Sequence, residues 1–166
     1  MYRSIEDFIN DWEVESEGTI KIFTALTDEL LTGTIHENVR SLGRLAWHLT
    51  QTITEMGKRA GLFADDELED KAVPQHSIDI LESYKQYCIL LSRAVRLKWT
   101  DSSLADQVDM YGEQWEKGKV LRVLVNHQTH HRGQMTVIMR MLGLPVPGLY
   151  GPSKEEWAEF GMTAPE

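Results

Sequence analysis

The densest chemistry in the chain lies in His127-Gln128-Thr129-His130-His131-Arg132-Gly133-Gln134, which gathers three of the six histidines into five residues. Around it, Val120, Val123, Leu124, Met135, Ile138, Met141 and Leu142 recur at the spacing of an amphipathic helix. At about 100° per residue, His127, His131 and Gln134 fall in the middle of that apolar stripe, with His130 toward its edge. Two imidazoles four residues apart stand one turn apart on one face, a separation that suits a single metal ion. Polar rings aimed into a core are costly unless something satisfies them. A bound metal would do so, and so would a closed hydrogen-bonded cluster; the spacing accommodates both. The metalloprotease version of the pair needs a glutamate directly after the first histidine, where this chain has Gln128, which argues against that mechanism. There is no G-x-S-x-G elbow and no glycine-rich phosphate cradle.

These side chains must be carried by helices. Ser4 and Asp7 form a capping box for a first helix, along which Ile5, Phe8, Ile9, Trp12, Thr19, Ile20, Phe23, Leu26 and Leu30 follow helical spacing, with a gap around Gly18. Glu13, Glu15 and Glu17 read as its solvated face. Thr34-x-x-Glu37 is a second capping candidate, and a second helix is expected from about His36 to Arg59, stopped by Gly61. His48 lies on its stripe with Leu45, Thr52 and Met56. Alone it would read as a hydrogen-bonded core histidine; beside the later pair it becomes a third candidate ligand. Glu55, two turns on, either sits over the same site or is surface charge.

Phe63 to Pro74 is an acidic connection. Ser77 is expected to cap a third helix through about Trp99, with Ile78, Leu81, Tyr84, Cys88, Leu91 and Val95 buried, so that Cys88 reads as a small core residue and not a nucleophile. Thr100 to Gly118 shows neither a helical nor a strand period, and a connection of that length is often functional. The fourth helix, Lys119 to Leu142, ends at Gly143 and Pro145; after an extended tail, Ser153-x-x-Glu156 opens a short helix with Trp157 and Phe160. Four long helices without a convincing strand predict an all-α four-helix bundle, one domain over residues 1–166.

The bulk properties exclude several partners. A net charge of −9 disfavours a duplex-binding face. No apolar run approaches the roughly 20 residues of a membrane span, and the acidic N-terminus has no signal-peptide core. With one cysteine there is no internal disulfide framework, so a cytoplasmic, reducing location is expected. One histidine from the second helix and two from the fourth would leave a coordination position free in a tetrahedral field. Such a position can hold water, or bind and orient a thiolate or oxyanion. Imidazole suits zinc, nickel, copper or iron, so the ligands alone do not name the metal. Arg132 and Gln134 are candidates to support the site, and Arg132, well off the His127 stripe, faces either solvent or a neighbouring helix.

The segment Asn126 to Gln134, followed by Met141-Leu142-Gly143 and Pro145, resembles the DinB (DinB/YfiT-like) family of bacterial four-helix proteins, and so do Leu45-Ala46-Trp47-His48 and Pro147 to Ser153. The likeness covers essentially the whole chain. It implies a divalent-metal site on His48, His127 and His131, with zinc or nickel the leading metals, and frequent homodimers. Relatives include transferases and isomerases in which the metal activates a low-molecular-weight thiol. The family name records induction by DNA damage, not binding to DNA. Two functions follow as expectations: a metal-dependent transferase or hydrolase acting on a small molecule, or a non-catalytic metal-binding stress-response or interaction protein.

Overall fold

Ser4 starts the first helix, α1 (Ile5–Thr24), by the expected reciprocal cap: its hydroxyl accepts the Asp7 amide at 3.1 Å and the Asp7 carboxylate accepts the Ser4 amide at 3.2 Å. The computed structural model describes residues 2–165. α1 stops short of Leu30, and Asp28, beyond its end, serves another helix. Its carboxylate accepts the Ser77 amide at 2.7 Å and lies 2.8 Å from His76 Nδ1. Asp28 thereby caps the third helix, α3 (Ser77–Lys98), from 49 residues away; Ser77 is its first residue and not its cap.

The second helix, α2 (Leu42–Arg59), begins six residues later than the predicted His36. Ser41, not Thr34, is the cap, accepting the Arg44 amide at 3.2 Å. The Gly43 amide donates to the Leu31 carbonyl at 2.8 Å, and a Cβ at Gly43 would meet that oxygen at the same 2.8 Å. Only glycine admits so close an approach. The shortened helix leaves residues 35–40 as a turn beside α4.

The illegible stretch from Thr100 to Gly118 contains a hairpin, a correction to the strand-free expectation. Strands β1 (Gln107–Met110) and β2 (Glu113–Glu116) pair antiparallel, Met110 opposite Glu113. Tyr111 and Gly112 take positive φ of 60° and 84°, the two-residue turn that suits a hairpin's twist. Met110 is wholly buried, so the hairpin is fastened to the bundle, packing on α2 and α4. β2 runs directly into the last long helix, α4 (Lys117–Met141).

α1 and α2 each pack against both α3 and α4, so the ring order is α1–α3–α2–α4, with consecutive helices α1 and α2 on a diagonal. That order places α2 and α4 side by side, as a site shared by His48 and the α4 pair requires. Phe8, Ile9, Phe23, Leu45, Leu49, Ile53, Ile80 and Met135 fill the centre. Cys88 is buried as expected, and burial pushes its thiol up to about 12. Ile78 and Met141, assigned to buried stripes, are instead exposed.

Candidate metal centre

His48 sits two turns into α2, on the flank facing α4. His127 and His131 face it from successive turns of α4. Their Nε2 atoms converge: His127 Nε2 lies 3.1 Å from His48 Nε2 and 3.1 Å from His131 Nε2. All three ligand atoms fall within 4.8 Å of one another, and among the described residues no carboxylate or thiolate joins them. An ion about 2.0–2.1 Å from each nitrogen of a tetrahedral set would hold its ligands roughly 3.3 Å apart. The two separations that include His127 are close to that. Each ring has one proton to place, and the three converging nitrogens offer no acceptor except each other, so the donor set fits a cation better than a hydrogen-bonded cluster.

Register between α2 and α4 is held by a residue the sequence reading passed over. Gln128 is completely buried; its amide nitrogen donates to the Leu49 carbonyl at 3.1 Å and its oxygen accepts from the Tyr84 hydroxyl at 3.0 Å. Leu49 follows His48 and Gln128 follows His127, so the clamp fixes the two helices one residue from each ligand. The signal was present: Leu121, Leu124, Gln128, Met135 and Ile138 sit at helical spacing and all are buried. The true stripe is rotated from the predicted one, so His127 lies at its edge and only partly buried.

His131 is oriented by its neighbour. Its Nδ1–H donates to Gln134 Oε1 at 2.7 Å, which leaves Nε2 as the lone-pair nitrogen. The Gln134 amide nitrogen lies 3.2 Å from His130 Nε2. His130 itself is exposed and outside the cluster. Glu55 does not join it either; its carboxylate pairs with Arg59 at 3.6 Å.

Burial is the first cause that lowers the three imidazole pKa values. His48 is brought down to about 4, helped by the charges of His131, Arg40 and Arg44. His127 also falls to about 4, with His131, His48, His130 and Arg40 adding to burial. His131 is lowered too, the Gln134 hydrogen bond opposing in part. At neutral pH all three rings are therefore uncharged, which is the ligating form.

Arg132 faces a partner helix, not solvent. Its guanidinium, 2% exposed, pairs with the Glu15 carboxylate, 10% exposed, across α4 and α1. It also donates to the Glu15 carbonyl and to Tyr150 Oη of the C-terminal tail, and Tyr150 in turn donates to the carboxylate at 2.8 Å. Thr129 Oγ1 adds a hydrogen bond at 3.1 Å. Glu15 is therefore a correction: Glu13 and Glu17 are solvated but Glu15 is buried. Burial alone would raise its pKa; the donors from Arg132, Tyr150 and Thr129 outweigh that and hold it below the usual carboxylate range. The gap in the α1 stripe at Gly18 has its reason here, since a Cβ there would come within 3.2 Å of the guanidinium.

Two cavities flank the histidines. One, of about 540 Å³, is lined by His131 and Gln134 together with residues of the turn before α2. The other, about 240 Å³, lies on the far flank against His48, Gln51 and Glu55. A separate cavity of about 650 Å³ opens between α1 and α3 over Trp12, Cys88 and Ile89, and none of the histidines lines it.

The whole chain matches known proteins. The family model described as the DinB family matches residues 1–165. An uncharacterized protein, YrdA, of Bacillus subtilis strain 168 is 41% identical over 166 residues, covering 100% of this chain and 99% of that one. The crystal structure of a DinB-like protein from Bacillus cereus ATCC 10987 superposes with a TM-score of 0.85 at 39% identity, covering 90% of this chain and 100% of that one. A second DinB-like protein, YjoA of Bacillus subtilis, superposes at 0.67 with 15% identity, over 84% of this chain and 95% of that one; it supports the fold alone.

Proposed function

Starting from the fact that the chain belongs to the DinB family, we propose that His48, His127 and His131 hold a divalent metal ion that binds and activates a small-molecule ligand. The convergence of three Nε2 atoms beside a cavity, with no acidic residue among them, carries this reading. A bound zinc or nickel ion would supply a Lewis-acid position open to a thiolate or to water. The chain's own residues do the rest. His131 is locked in its ligating tautomer by Gln134, and Gln128 keeps α2 and α4 in register. Because the ligands are neutral, the site keeps the ion's full positive charge and favours anionic partners, a low-molecular-weight thiolate first among them. Thiol transfer is the leading activity, with hydrolysis second.

Cobalt substitution tests the reading. Elemental analysis of purified protein should find one divalent ion per chain, and adding a small thiol to the cobalt form should produce sulfur-to-metal charge-transfer absorption. An ion retained at full content after the three histidines are replaced would overturn the site. A cobalt spectrum indifferent to thiols, azide and water exchange would make the centre a closed structural one. The same reading has the chain act as a homodimer, supported by Ile89 and Leu97 on α3, which leave 67% and 78% of their surfaces exposed; light scattering should give twice the chain mass.

A further inference from the structure

The cavity of about 540 Å³ beside His131 has a lining of mixed character. Ile35, Val39, Leu45, Val137 and Ile138 make an apolar lining. Opposite in character, Arg40 and Asn38 stand on the turn before α2, and the Gln134 amide stands on α4. Arg40 has no assigned duty in the fold. Among the described residues its guanidinium makes no ion pair and no side-chain hydrogen bond, whereas Arg96, Arg132 and Arg140 each hold a carboxylate. It is also close enough for its positive charge to act on His48, His127 and His131 alike. Among the described residues Arg3 and Arg93 likewise lack a carboxylate partner; Arg40 differs in lining the cavity that His131 also lines, where a ligand can bring the anion.

We infer that Arg40 anchors the carboxylate of the small-molecule ligand, whose apolar portion lies along Ile35, Val39 and Val137. The guanidinium presents a planar fork that matches a carboxylate with two parallel N–H···O bonds, and the Asn38 amide can add a third donor. The late start of α2 is what makes this possible. Had the helix begun at His36, residues 35–40 would have continued its cylinder; Ser41 and the Gly43–Leu31 contact instead leave them as the cavity's wall. The assignment rests on the metal-centre reading, since the cavity that Arg40 lines is also lined by His131 of that centre. A ligand with a thiolate at one end and a carboxylate at the other would satisfy both.

The test compares 3-mercaptopropionate with its neutral methyl ester, by calorimetry on the zinc-loaded protein and by absorption on the cobalt-loaded protein. The free acid should bind about tenfold more tightly at low salt, a preference that shrinks as salt screens it. In Arg40→Gln the two ligands should bind equally, with the ester's affinity unchanged, and Arg40→Lys should recover part of the preference. Arg40 is exposed on a turn, so neither variant threatens folding. Equal binding of acid and ester to the native protein, or a preference that survives in Arg40→Gln, overturns the assignment. The thiolate reading is judged separately: a charge-transfer band with both ligands but no acid preference removes Arg40's role alone. An Arg40-dependent preference without any band keeps the carboxylate anchor and removes the thiolate.

Discussion

Replacing Arg132 with methionine takes the charge from the most deeply buried ion pair while keeping a side chain of similar length. The Glu15 carboxylate would be left 10% exposed with two neutral donors, Tyr150 at 2.8 Å and Thr129 at 3.1 Å, in place of a guanidinium. Its own main-chain carbonyl and Thr19 Oγ1 lose the same partner. Breaking a buried pair from one side costs about 3–5 kcal/mol. For a chain of this length that corresponds to a fall in Tm of roughly 6–20 °C. Urea denaturation followed by tryptophan fluorescence, on chelator-treated protein so that neighbouring His131 does not enter, measures it. Glu15→Gln should cost a comparable amount, and the double variant should lose less than the sum by at least about 1 kcal/mol. The pH dependence adds an independent check. Glu15 has a lowered folded-state pKa, so its contribution is present above the ordinary carboxylate range and is lost as pH falls through the lowered value. The gap between native protein and Arg132→Met should therefore narrow in acid. A loss below about 1 kcal/mol, additive singles, or a gap that ignores pH would refute the reasoning.

His127→Ala or His131→Ala should abolish tight metal binding while His130→Ala keeps it, as measured by metal content after gel filtration; the reverse order for His130 and His131 would mean the wrong face was assigned. Gln134→Leu removes the acceptor for the His131 Nδ1–H and should weaken metal affinity about 10- to 100-fold without unfolding the chain, read by competition with a chromophoric chelator. Proton competition should be weak: three ordinary imidazoles would lose roughly a thousandfold in affinity by pH 5.5, whereas His48 and His127, held near 4, stay neutral there and His131 is lowered in the same direction, so titration at pH 5.5 and 7.5 should show a much smaller drop. In the metal-free protein the same depressed values mean that stability is full above about 6.5 and declines as pH falls toward 4, because the unfolded chain takes up protons first; chelator-treated samples unfolded in urea across that range check the sign.

The helices were legible because their stripes are long. Ser4–Asp7, Gly61 and Gly143 marked ends that the structure keeps, Gly61 and Gly143 at φ 75° and 78°. The start of α2 was misplaced because Thr34-x-x-Glu37 offers a fuller local cap pattern than Ser41, which has Arg44 at that spacing; the Leu31 carbonyl held by Gly43 is a tertiary contact, invisible to spacing. The hairpin was missed because four residues per strand carry two inward positions each, too few to establish a period. The histidine trio was readable from residue types and from the family resemblance. Glu15 and Arg132 were not, since Glu15 stands among charged neighbours, Arg132 lies off the apolar stripe as predicted, and only their meeting, 117 residues apart, distinguishes them. Gln128 hid for a related reason: a polar side chain on an apolar stripe needs partners from two other helices before it can count as core.

His127 and His131 lie within one turn of α4, whereas His48 joins them across 79 residues of chain. On the proposed reading the ion's affinity would be split between a local and a long-range event. As soon as α4 winds, a two-imidazole site exists; the third donor arrives only when α2, α3 and the hairpin have closed the loop. A weakly held ion should thus be present early in refolding and become tightly held at the moment α2 docks. The ion would serve as a clock for tertiary closure, the spectrum of the cobalt form stepping from two-nitrogen to three-nitrogen character as α2 docks.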